Sequence, residues 1–359
     1  MLEPLPHEAL ARAVRAAFGG DAAVLAADPL SGDASTRRYV RLRLAGSRAP
    51  ATAVAMVLGE GRFAPGSDEI GGGVVIDELP FVNVGRWFGA QGFAVPTVYH
   101  DAAQADGLLL LEDIGDTTLW AAASGNPAGA PPLFESAVDL LVDIQAAAAH
   151  SPDATCYAFR RRFDGVLARW ELEHFVEHGI ETRHGRSLPA GERATLLAAL
   201  DPIAAPFDDV SPDLCHRDFM AWNLHVQDGR LRVIDFQDAL LGPGTYDLAA
   251  LLTDRTTGDL VTPALEAALI DRFRRARAAA RLSADDVELR YRQCALHRAL
   301  KVIGRFYFLE RVKQKPGYLA YLPAVYAVAR RMFAALPGTG ALQAMAAAHV
   351  PELAPEPRA

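Results

Sequence analysis

His216-Arg217-Asp218-Phe219-Met220-Ala221-Trp222-Asn223 places an imidazole, a guanidinium, a carboxylate and a carboxamide within one short segment, and Asp235-Phe236-Gln237 follows twelve residues after Asn223. The set suits transfer of a phosphoryl group from a nucleotide. That reaction needs a base beside the acceptor hydroxyl and metal-binding oxygens beside the phosphates. In such chemistry Asp218 is the base, Asn223 offers its amide oxygen to one Mg²⁺, Asp235 bridges the metals with its carboxylate, and His216 braces the loop. Each residue taken singly is of a type that usually ends in a solvent-facing turn, whereas together at this spacing they point to one site.

The residues between them read as a hairpin. Leu224-His225-Val226 is a short strand, Gln227-Asp228-Gly229-Arg230 a turn and Leu231-Arg232-Val233-Ile234 the returning strand, which is expected to bring Asn223 and Asp235 to the same end. Asp247, two residues after Thr245 at the start of a helical segment, is expected either to cap that helix or to hold the loop by accepting backbone N–H groups.

Upstream, Pro6 to Phe18 repeats apolar residues at helical spacing and stops at Gly19-Gly20. Strands are expected at Tyr39–Leu44, Thr52–Leu58, Val95–Tyr99 and Leu108–Leu111, with a helix over Glu78–Ala90 and a glycine-rich loop over Gly59–Gly73. The polar run Glu112-Asp113-Ile114-Gly115-Asp116 marks a bend, and Ala121–Pro132 reads as a linker. Beyond it helices are expected at Leu133–Ala149, Arg161–Glu177, Ala190–Leu200, Tyr246–Leu252, Pro263–Ala279, Ala284–Phe308 and Leu322–Ala335, followed by a frayed tail from Pro351.

A sheet-rich start, a bend, and a helical remainder holding HxDxxxxN and D-F-x resemble the aminoglycoside phosphotransferase-like branch of the protein-kinase fold. Within it, Val233-Ile234-Asp235-Phe236-Gln237-Asp238-Ala239, Gly242-Pro243, Tyr246-Asp247-Leu248-Ala249 and Gly32-Asp33-Ala34-Ser35-Thr36-Arg37-Arg38-Tyr39 are similar to bacterial anomeric N-acetylmuramate/N-acetylglucosamine kinases. The resemblance implies an α+β, protein-kinase-like two-lobe fold: an N-terminal antiparallel sheet lobe for the nucleotide over 1–112, a larger, mainly helical catalytic and substrate-binding lobe over 113–359, and a hinge near 112–116. It implies ATP and Mg²⁺ as cofactors, and transfer of the γ-phosphoryl group to a sugar hydroxyl, foremost the anomeric hydroxyl of an N-acetylated amino sugar in cell-wall recycling. An aminoglycoside or other amino-alcohol acceptor is the alternative within the class, and a catalytically silent nucleotide-binding scaffold the alternative outside it.

The turn Asp33-Ala34-Ser35-Thr36, made of small residues, can bring N–H groups and hydroxyls to phosphate oxygens, while Glu112, Asp113 and Ile114 belong to the run whose main chain faces an adenine edge. Most kinases hold the phosphates with a lysine on the third strand, but no lysine precedes Lys301, and Met56 stands at that position, as in the anomeric sugar kinases. Arg38, Arg41 and Arg43 are candidate substitutes, against the plainer reading of solvated strand arginines. Asp218, Trp222 and Gln237 are the residues expected against the acceptor.

Composition narrows the alternatives. With 359 residues and 51% hydrophobic content there is ample material for a buried core, and a net charge of −8 argues against a nucleic-acid partner. Cys156, Cys215 and Cys294 are scattered, which predicts buried thiols and no disulfide or zinc framework. Lys301, Lys313 and Lys315 read as a solvated basic helix end. No apolar run is long enough to span a membrane and the first residues lack a leader pattern, so a cytoplasmic monomer acting on a small molecule is expected.

Overall fold

Strand alternation builds the first sheet. The computed structural model describes residues 6–30, 37–59, 77–209, 212–284 and 286–356. The Asp33–Thr36 turn and nearly all of the glycine-rich 59–73 segment lie outside them. Strands β1 (Ala23–Leu30), β2 (Arg38–Ala45), β3 (Thr52–Val57), β4 (Val98–Ala102) and β5 (Leu108–Glu112) form one antiparallel sheet in the order β1-β2-β3-β5-β4. Alternate residues Val40, Leu42 and Leu44, Ala53 and Ala55, and Leu108 and Leu110 form a core with Leu10, Val14 and Phe18 of α1 (His7–Phe18). Met56, opposite Leu109, is one residue out of phase with that set, so it is buried on the other face.

The strand β1 was not expected, and the last strand pair is shifted: β4 covers Val98–Ala102 instead of Val95–Tyr99. Ala-Asp-Pro content disguises β1, yet it is an edge strand with mostly half-exposed or exposed side chains, where Pro29 costs no interior ladder bond. Helix α2 (Pro80–Ala90) begins with Pro80 at its first position, and the short α3 (Ala103–Asp106) leads into β5.

The remainder is mainly helical: α4 (Leu119–Gly125), α5 (Ala130–His150), α6 (Gly165–His174) continuing into a π-helical stretch Phe175–Thr182, α7 (Ala190–Ala204), α8 (Thr245–Leu252), α9 (Pro263–Ala279), α10 (Val287–Tyr307), α11 (Leu322–Ala335) and α12 (Gly340–His349). Thr118, Asp164 and Thr262 cap α4, α6 and α9 by accepting the backbone N–H three residues on. Two short sheets complete it, β6 (Asp213–Cys215) with β9 (Leu240–Gly242), and the hairpin β7 (Leu224–Gln227) with β8 (Arg230–Val233). Asp228 and Gly229 both have positive φ in the hairpin turn, the conformation that Asp-Gly accommodates at little cost.

Three expectations are corrected. Residues 121–132 are not a linker: α4 and the first turn of α5 occupy them, because alanine favours helix and Pro131 and Pro132 sit where no N–H is needed. The tail from Pro351 is docked at its start, with Leu353 fully buried and its carbonyl accepting from Gln343 Nε2 at 3.0 Å. Lys301 is no solvated helix end, since its ammonium meets the buried Glu171 carboxylate at 2.5 Å. The three cysteines are free and buried, as expected.

The chain divides into two compact units, Met1–Asp116 with Gln227–Asp238, and Thr117–Val226 with Ala239–Ala359. Residues 227–238 group with the sheet for a packing reason. Phe236 is fully buried against Phe81 and Phe88 at centroid distances of 5.0 and 5.4 Å, and burying such a ring stabilises by about 1.5–3 kcal/mol. Arg232 adds a two-pronged pair with Glu112.

Candidate active site

In the helical unit, β6 delivers the chain to His216 and the backbone then turns sharply. Arg217 has φ 73°, in the left-handed region that a non-glycine residue rarely occupies. Asp247, on the first turn of α8, accepts the N–H of His216 at 2.6 Å and that of Arg217 at 2.9 Å, so it holds the loop, one of the two roles expected for it. Its carboxyl is fully buried, and burial pushes its pKa up to about 6 even though His216 and the two N–H groups favour the anion.

The loop then closes on itself. The Asp218 carbonyl accepts from Met220 N and from Asn223 Nδ2, both at 2.8 Å, and Asn223 N donates to the Met220 carbonyl at 2.9 Å. These bonds fix the carboxamide: its NH₂ is spent on the loop, so Oδ1 is the side-chain atom able to ligate a cation. Asp218 itself keeps a half-exposed side chain at 48%. Burial of its surroundings alone would raise its pKa, but the charges of Arg298, Lys301, Arg217 and His216 outweigh that and hold it below the ordinary carboxylate value. Arg298 Nη1 lies 3.9 Å from the carboxylate. The arrangement is a reachable, ionised carboxylate on a rigid loop, as a general base requires.

Trp222 stacks on Trp120 with centroids 4.3 Å apart, and both indole N–H groups go to Thr256, Trp222 to the hydroxyl at 2.8 Å and Trp120 to the carbonyl at 3.2 Å. Thr256 Oγ1 in turn donates to Asp254 at 2.7 Å. His297 is fully buried with Nε2 bonded to the Ala168 carbonyl at 2.9 Å.

In the sheet unit, Asp235 also has positive φ, 64°, and accepts from Gln237 Nε2 at 2.7 Å, with Gln237 itself buried. Glu112 receives both Arg232 nitrogens at 2.5 and 2.6 Å and the Thr97 hydroxyl at 2.9 Å, and Arg232 chiefly lowers its pKa to about 2. The N–H of Glu112 is taken by the Thr97 carbonyl. Asp113 and Asp116 share the guanidinium of Arg41, Ile114 is buried, Arg43 stands 3.8 Å from Asp28, and Arg38 opens β2 opposite Val57. Arg41 is thereby committed to two carboxylates.

Asn223 Oδ1 in the helical unit and the Asp235 carboxylate in the sheet unit are each oxygen ligands of the kind Mg²⁺ takes. Among the described residues no cluster of three or more His, Cys, Asp or Glu is placed to hold a metal ion. A cation that retains water and phosphate oxygens fits such donors better than one needing an all-protein cage.

Sequence reasoning missed Glu171, Arg298, Trp120, Thr256 and Arg232. A signal existed for some of them: Arg298 and Lys301 interrupt the apolar face of α10, and a charge on such a face must find a partner. No spacing rule identifies the partner of Lys301 as Glu171, 130 residues away.

A profile of the phosphotransferase enzyme family matches residues 27–286. The N-acetylmuramate/N-acetylglucosamine kinase of Pseudomonas aeruginosa is 32% identical over 84% of this chain and 84% of its own length. The enzyme of the same name from Caulobacter vibrioides is 32% identical over 68% of each. Among solved structures, the ADP-bound aminoglycoside phosphotransferase APH(2'')-Ib aligns over 86% of this chain and 95% of its own, with TM-score 0.52 at 14% identity, which establishes a kinase-like fold. A family match spanning most of the chain, on a fold that holds the Asp218 loop rigid and its carboxylate open, makes this chain a member of the phosphotransferase enzyme family.

Proposed function

We propose that the protein transfers the γ-phosphoryl group of ATP to the anomeric hydroxyl of an N-acetylated amino sugar, N-acetylmuramate or N-acetylglucosamine, giving the sugar 1-phosphate. The observation that carries the reading is Asp218: ionised, half-exposed, and fixed by a loop whose other members are bonded or buried. The acceptor class is taken from the two relatives, both named for these sugars and both 32% identical to this chain.

Asp218 orients the acceptor hydroxyl and takes its proton as the oxygen bonds to the γ-phosphorus; the bond from that phosphorus to the bridging oxygen breaks and ADP departs. Divalent cations bound with the nucleotide would neutralise the charge on the phosphoryl oxygens. Asn223 and Asp235 would hold them, the first through Oδ1. The main chain at Glu112–Ile114 and residues 33–36 are the proposed nucleotide contacts, together with Arg38 of β2 and Met56 of β3. Trp222, buttressed by Trp120, offers an aromatic surface suited to the apolar face of a pyranose.

The test is incubation with Mg²⁺-ATP and each sugar, following ADP and product mass. The expected product is an acid-labile sugar monophosphate. Asp218→Asn should lower kcat by about 10² or more while nucleotide affinity holds. Unchanged turnover in that variant would remove Asp218 from the role of base.

A further inference from the structure

Glu171, on α6, is almost completely buried at 1% exposure, and its Oε1 takes both the Arg217 guanidinium and the Lys301 ammonium. Its Oε2 makes no hydrogen bond and lies 3.9 Å from His297 Nε2. Desolvating such groups carries a penalty that a well-packed apolar cluster would avoid, so the ion pair is poorly explained as a source of stability.

Its position gives a better account. Arg217 immediately precedes Asp218 and has a left-handed backbone, a strained conformation for a non-glycine residue that persists only where the surroundings over-determine it. Its N–H is held by Asp247 and its carbonyl by Arg298 Nη1 at 3.3 Å. The guanidinium lies 5.2 Å above the Phe163 ring and is held by Glu171. Asp247 and Arg298 fix the peptide groups, while Glu171 and the Phe163 ring hold the side chain, Glu171 through a charge-assisted bond that an apolar residue at 171 would remove.

We infer that Glu171 is a positioning residue for the transfer reaction: by anchoring the Arg217 side chain it locks the turn that aims the Asp218 carboxylate at the acceptor. The inference rests on the sugar-kinase reading above. Glu171 touches neither substrate, so its loss acts on the chemical step and leaves binding intact.

The experiment uses the full-length protein with Mg²⁺-ATP and N-acetylglucosamine, comparing wild type with Glu171→Gln, which keeps shape and an acceptor oxygen but removes the charge. Rates are normalised to the folded fraction from a urea titration. The expected result is a drop in kcat of about 10- to 100-fold, with KM for the sugar and Kd for the nucleotide within twofold. Arg217→Lys, which keeps the charge but loses the planar fork, should show the same split, and serves if Glu171→Gln does not fold. A normalised kcat equal to wild type in the folded variants would overturn the inference, as would a loss confined to KM. An inactive wild type would instead overturn the sugar-kinase reading, and this inference with it.

Discussion

Two regions of this protein tie carboxylates to arginines, and they do so in opposite environments. At the end of β5, Glu112 with Arg232 and Asp113 with Arg41 form two-pronged pairs that remain partly open to water, with Asp116 mostly exposed. Around the Asp218 loop, Glu171, Arg217, Asp247 and Arg298 are all buried. Surface pairs gain little because water screens them, whereas removing one member of a buried set strands a charge or an N–H group with no solvent to replace it. The strand end is adjustable; the loop is built to hold one geometry.

The contrast breaks most sharply at Asp247. Asp247→Ala leaves the N–H groups of His216 and Arg217 buried without acceptors, and at about 1–3 kcal/mol each the loss of stability should reach about 2–6 kcal/mol, read as a shift in the urea midpoint. A loss below 1 kcal/mol would show that the loop finds other acceptors.

The next effect is on pH dependence. Burial holds the His297 imidazole down to about 4, so as pH falls from 6.5 towards 4 the unfolded chain takes up the proton first and stability is lost. Asp247 works the other way: its folded value of about 6 lies above the ordinary value of 3.8, so between these the folded state binds the proton first and stability rises as pH falls. His297→Gln should therefore lose about 2–3 kcal/mol less than the parent between pH 7 and 4.5, measured by urea unfolding at each pH. Identical slopes would show that His297 does not stay neutral in the fold.

The smallest effect belongs to the strand end. Arg232→Met should cost about 1–2 kcal/mol, the smallest of the three, and part of that cost should be lost in high salt, which urea titrations at two ionic strengths would resolve. It should also soften acid unfolding, because the Glu112 value of about 2 gives stability that is present above its ordinary value of 4.5 and is lost as pH falls towards 2.

Much of this was legible in the chain. The spacing from His216 to Asp235 identified the loop and hairpin because both are local: Asp-Gly sets the turn and alternation sets the flanking strands. Helices α9 and α11 were read to their ends, since Thr262-Pro263 is a start signal and the apolar period runs unbroken. The edge strand β1 and the helical 119–132 segment were not, because the first has little apolar pattern and the second contains prolines that are harmless only in a first turn.

By itself, the sequence determined which groups are present at short spacing: a carboxylate at 218, an amide at 223, a carboxylate at 235, and the absence of any lysine before 301. Those are properties of residue type and short spacing. Only the tertiary structure decided that Glu171 anchors Arg217, that Trp120 backs Trp222, and that residues 227–238 pack with the sheet through Phe236. Each joins positions 46 to more than 150 residues apart in the chain or buries a ring in a core built from distant segments, and burial, which turns such a contact from negligible to decisive, is a property of the folded whole.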